Sequence, residues 1–173
     1  MATHRVEHVT DDDCGSAPLA AAAAVMMTVP WSSLVPVDLH SFAFALRLVR
    51  NTVTVASPLT DGLDVAHDAL ERAAGSWYTQ LDRHPDAAAM EARGAFDELC
   101  DVLSLSDCTC ADAALDRRVL RAAVSDAAGA LMEFVAVRSG PPVPWEVGPD
   151  AVTLGHLMVA GSALSTVIAA LDE

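Results

Sequence analysis

From Ala151 to Leu171 the chain runs for 21 residues without a charged side chain. A helix needs roughly 20 apolar residues to cross a bilayer, so this segment either lies in lipid or is covered by protein over much of its circumference. We adopt the second reading, a buried core helix. Thr153, His156, Ser162, Ser165 and Thr166 interrupt the apolar run. Its flanks, Glu146, Asp150, Asp172 and Glu173, are acidic where a membrane anchor carries basic residues. A tail anchor is the alternative. Asp150 is placed to cap the helix, and Gly161-Ser162 is the point at which it can divide into two shorter ones.

Upstream, apolar residues recur at helical spacing. Ala17 to Met27 is apolar all round and is closed by Pro30. Behind a capping Asp38, the residues Leu39, Phe42, Leu46, Val49 and Val53 form one face. A turn at 57–62, with Thr60 or Asp61 as cap, precedes the stripe Leu63, His67, Leu70, Ala74, Trp77 and Leu81. Pro85 opens a fourth helix that turns Ala89, Phe96, Leu99 and Leu103 inward. Asp107 or Thr109 begins a fifth, with Leu120, Val124, Ala127, Leu131 and Phe134 inward, ending at Gly140. No segment alternates with the period of a strand.

A chain of 173 residues suits one domain and buries roughly 70% of its unfolded surface without staples or metal. The prediction is therefore an all-α, single-domain bundle of six to seven helices over residues 17–173, with residues 1–16 as a flexible polar lead-in. The fifth helix, long, small and apolar, is expected at its centre.

Twenty-four acidic side chains face ten arginines and no lysine, for a net charge of −14. Such a surface repels phosphate backbones, which excludes nucleic acid as a natural partner. Asp11, Asp12 and Asp13 stand where a secretion signal carries positive charge.

The four cysteines have no regular spacing, which fits a reducing compartment. Cys108 and Cys110 are separated by one residue and Cys100 lies eight before Cys108, so neither a four-ligand zinc set nor a C-x-x-C redox pair forms. These are read as reduced structural thiols at a helix junction. His67, with Asp64, Asp68 and Glu71 around it, lacks the second Glu-x-x-His motif of a di-metal bundle. It is read as a core or boundary histidine bonded to a carboxylate. G-x-S-x-G, glycine-rich phosphate loops and H-E-x-x-H do not occur. No catalytic, cofactor-binding or metal residue is nominated, and no cofactor is expected.

What remains is surface. Leu19, Val25, Met26 and Met27 of the first helix, Trp31 behind it, and Leu154, Leu157 and Met158 of the last are too apolar to leave bare. They are expected to form a partner-binding or self-association face.

Four stretches, taken in order, resemble the poxvirus Bcl-2-like family. "VPWSS" (29–33) is similar to the Trp-containing end of that family's first helix. "AFDELCDVLSLSD" (95–107) resembles its fourth helix, "VLRAAVSDAAGALMEF" (119–134) its small-residue central helix, and "GHLMVAGSALSTVIAALDE" (155–173) its apolar end. The resemblance implies a Bcl-2-like bundle and a non-enzymatic virulence factor in the host cytoplasm. Such a protein binds host signalling proteins and so blocks NF-κB or interferon pathways. It also implies a homodimer through the first and sixth helices, as in several relatives. The Asn-Trp-Gly-Arg hallmark of cellular Bcl-2 proteins is missing, and "VRSG" (137–140) stands where several relatives carry Trp-Gly. Without that arginine, tight capture of acidic BH3 helices is disfavoured. A BH3-binding inhibitor of apoptosis remains the alternative, and a thiol- or metal-dependent protein using Cys100, Cys108, Cys110 or His67 the third reading.

Overall fold

Two prolines open helices, because a first-turn proline gives up only an N–H that would have no intrahelical partner. In the computed structural model, which describes residues 17–53, 55–81, 117–141 and 148–173, Pro36 and Pro58 do this. The described elements are α1 (Ala17–Thr28), a 3-10 turn (Trp31–Ser33), α2 (Pro36–Thr52), α3 (Pro58–Leu81), α4 (Arg117–Arg138) and α5 (Ala151–Leu171). Among the described residues there is no strand, and the fold is all-α. The expected helix behind Pro85, the lead-in at 1–16, the cysteines and Trp145 lie outside the described residues.

The helix starts differ in detail from the sequence reading. Asp38 sits inside the first turn of α2, where its Oδ2 accepts the Val35 N–H at 2.8 Å. The cap before α3 is Ser57, not Thr60 or Asp61. Ser57 donates its N–H to Thr60 Oγ1 at 2.9 Å, and the Thr60 N–H returns to Ser57 Oγ at 3.4 Å. Asp150 caps α5 as expected, its Oδ1 accepting from the Thr153 N–H at 2.8 Å. The anticipated break at Gly161-Ser162 does not occur, and α5 is one unbroken helix.

The helices pack by the stripes read from sequence. Leu39, Phe42, Leu46, Leu63, Leu70, Leu131, Leu157 and Leu164 are fully buried. Removing each from water contributes about 1.5–3 kcal/mol. The most extensive seam joins α3 to α5, followed by α2 to α3; α4 lies on α5 and α1, and α1 on α2. Among the described elements the α3–α5 seam is thus the most extensive, while the fourth helix expected beside 119–134 lies outside the described residues. α4 buries Leu120, Val124, Ala127, Leu131 and Phe134 and turns Arg118, Asp126 and Glu133 to solvent, where charges are cheapest to keep.

Two glycines make the seams close. A Cβ on Gly62 would stand 2.9 Å from Val167 Cγ2 and 3.3 Å from the Ala163 carbonyl oxygen. A Cβ on Gly161 would run into the thioether of Met132, whose side chain lies across it. Polar ties hold the ends. Arg50 bonds Asp64 at 3.1 Å, Thr153 Oγ1 donates to Ser76 Oγ at 3.0 Å, and Arg121 clasps Asp172 beyond α5, with Nη2 2.9 Å from Oδ2. That contact also holds the Asp172 carboxyl below its ordinary value, chiefly through the hydrogen bond from Arg121.

Replacing each of three helix-interior glycines by alanine separates packing from propensity. Gly75 has open space where a Cβ would go, so Gly75→Ala should stabilise by about 0.5–1 kcal/mol. Gly62→Ala meets a stiff β-branched side chain and backbone, and should cost about 1–2 kcal/mol net. Gly161→Ala should fall between them, because Met132 is 41% exposed and can swing aside. Urea denaturation followed by circular dichroism gives the order.

Candidate interaction surface

Burial divides the eight residues expected to form an interface. Val25 and Met26 are each 2% exposed, Leu154 is 9% and Leu157 is 0%. These four belong to the core of the single chain, and the expectation that they meet a partner is corrected. Their apolar surface is consumed by α2, α3 and α4, which wrap the inward sides of α1 and α5. Leu19 lies on the first turn of α1, its side chain outside those described. Trp31 is partly buried, with its ring edge-on to Phe42 (centroids 5.6 Å apart, planes at 88°). Of the nominated residues whose side chains are described, only Met27 and Met158 are widely open. Among the described residues α1 rests on α2 and α4, while α5 rests on α3 and α4.

The structure adds residues that the sequence reading passed over. Val152 and Val159 are exposed on α5 beside Met158, with Gly155, Ser162 and Thr166 between and beyond them. Their phase carries the signal: these positions lie on the arc opposite Leu157 and Leu164, and the absence of charge had hidden which arc faced outward.

A cleft of about 270 Å³ opens between the 3-10 turn and the C-terminal half of α4. Trp31 and Ser32 form one wall; Phe134, Val137, Glu133 and Arg138 form the other. Phe134 is held from behind by Trp77, with ring centroids 6.0 Å apart, and the Arg138 guanidinium covers it 5.5 Å from the ring centre. A guanidinium over an aromatic face is attracted by the ring quadrupole. The Trp77 indole nitrogen is buried and has no hydrogen-bond partner among the described residues. The cleft is apolar at its floor, polar at its rim, and of a size to receive one large side chain.

On another side, α2 and α3 present His40, Glu71 and Tyr78. His40 Nδ1 lies 2.9 Å from Glu71 Oε1, and its ring stacks on Tyr78 at 5.6 Å and 23°. Burial pushes the Tyr78 hydroxyl above its ordinary pKa, and the Asp38 carboxylate adds to the rise. His67, expected in the core or at its boundary, lies at the boundary, with Nδ1 3.1 Å from Asp68 Oδ1. Asp64 is taken by Arg50, so Asp64 and His67 do not converge. Among the described residues, no group of three or more His, Cys, Asp and Glu side chains comes together. No protein-family model, no curated protein and no solved structure matches this chain.

Tyr78 is the single tyrosine, so absorbance titration of tyrosinate reads one group. Its midpoint should lie above that of the unfolded chain. Because the folded value is the higher one, this group's contribution to stability is complete below about pH 10 and is lost as pH rises through the folded value. Asp38→Asn keeps an oxygen acceptor for the Val35 N–H and removes the charge. It should bring the midpoint only part of the way back, since burial is the larger cause.

Proposed function

We propose that this chain is a non-enzymatic protein-interaction module of the poxvirus Bcl-2-like kind. In this reading it acts in the host cytoplasm, binds host signalling proteins and inhibits NF-κB or interferon activation. The six-to-seven-helix arrangement, with 119–134 as the family's central helix, belongs to the same proposal. The cleft between Trp31 and Phe134 is the observation that carries it. Interfaces draw most of their affinity from a few large side chains seated in desolvated pockets, and a cleft with aromatic walls and a polar rim suits one such anchor. The all-α architecture and the order of the resembling stretches support the family reading.

The test is reporter assays for NF-κB and interferon induction in transfected cells, with expression checked by immunoblot. The native chain should suppress at least one pathway. Val137 is 70% exposed and lines the cleft, so Val137→Asp should leave the melting temperature unchanged and weaken both suppression and partner recovery by about tenfold or more. Suppression of neither pathway by the native chain overturns the function. Full suppression by Val137→Asp overturns the assignment of the cleft. Micromolar binding of BH3 peptides would move the reading to inhibition of apoptosis.

A further inference from the structure

Met132 belongs to the α4–α5 seam and to the surface at once. Its thioether lies across Gly161 of α5, with Cγ 3.2 Å and Cε 3.9 Å from the point a Cβ would occupy. Gly161 itself is buried, at the midpoint of the helix. On α4, Ala128 and Val135 stand four residues before and three after Met132, on the same face, and both are buried. Met132 closes the edge of that face, and 41% of it meets water. Met26 is buried in the core, whereas Met27 and Met158 are more open than Met132 and lie on outward arcs.

A peroxide converts a thioether to a sulfoxide in one step. A sulfur lone pair attacks one oxygen and the O–O bond breaks. The proton on the transferred oxygen passes to the departing hydroxide, which leaves as water. Sulfur is oxidised by two electrons and the peroxide is reduced by the same two. The side chain keeps its length but gains a strong hydrogen-bond acceptor. Against Gly161 that oxygen meets backbone amides already used within an unbroken helix, and the Gly161 carbonyl itself accepts from Ser165 Oγ at 3.2 Å. An acceptor left without a donor in a seam is costly, so the sulfoxide turns out to water. Gly161 has no side chain of its own to fill the place, and α4 loses its contact at the middle of α5.

We propose that Met132 is an oxidation site through which a peroxide loosens α4 from α5, and that Met27 and Met158 oxidise without this effect. Phe134 and Val137, on the α4 side of the cleft, follow Met132 by two and five residues, so the loosening extends to the cleft wall. The proposal stands on the seam alone and does not depend on which protein the cleft takes.

Hydrogen peroxide treatment of the full chain, followed by peptide mass spectrometry and thermal melts, tests it. Met132 should be recovered as the sulfoxide from folded protein, and the melting temperature should fall by about 3–6 °C. Methionine sulfoxide reductase should restore it. Met132→Leu keeps an apolar side chain of similar volume without the sulfur. On the same treatment it should lose less than about 1 °C, although Met27 and Met158 are oxidised. Met132→Gln carries a permanent polar group in place of the sulfoxide and should melt lower with no peroxide added. Gly161→Ala already displaces the thioether, so oxidation should cost it about half the native shift or less. A Met132 that stays reduced while Met158 is fully oxidised overturns the proposal, as does an absent shift, or one equal in the native and Met132→Leu proteins. Should Met132→Leu fail to fold, equal shifts in the native and Gly161→Ala proteins overturn it.

Discussion

The seam between α3 and α5 carries the rest of the bundle. α5 has no charge to hold it at a water interface, so its lowest-energy position buries as much of its circumference as neighbours can reach. α3 reaches it closely because Gly62 presents no side chain where Val167 and the Ala163 carbonyl approach. α2 then lies against α3, closing Leu39, Phe42 and Leu46 over Leu63 and Leu70 in one core cluster. α4 seals another side of α5, its Met132 laid across Gly161. The small residues cost helix propensity at two points and return a close helix–helix fit along the seam.

Polar side chains appear where the helices end or cross, and most have a partner. Asp38, Asp150 and the Ser57–Thr60 pair satisfy early backbone amides. Ser76 and Gln80 of α3 receive Thr153 and the Asp150 N–H, locking the C-terminal end of α3 to the start of α5. Arg121 and Asp172 tie α4 to the chain end. Each exposed ion pair is worth little by itself. Together they fix the relative heights of helices whose apolar faces, built largely of alanine, would tolerate sliding.

Two surfaces are left over, and their chemistry differs. The cleft beside Phe134 has aromatic walls and charged residues at its rim, suiting it to a single anchoring side chain. The outer side of α5 is uncharged, with Val152, Met158 and Val159 exposed along it. The two surfaces lie on different elements.

The helical class, the stripes on α2, α3 and α4, and the cap at Asp150 were legible from residue spacing alone. Period and capping chemistry are local and need no knowledge of neighbours. Val25, Met26, Leu154 and Leu157 show the limit. Sequence identified them as too apolar to expose, and could not say whether the chain itself or a partner covers them. On α1 and α5, apolar nearly all round, no charge marks the outward arc, so Val152 and Val159 were indistinguishable in kind from Leu157 and Leu164. The sequence by itself determined that helices form and that α5 must be covered. Only the tertiary structure decided that α3 and α4 cover one side of it and leave the other open, because helix–helix contact depends on the shape at close approach, at Gly62 and Gly161, and not on composition.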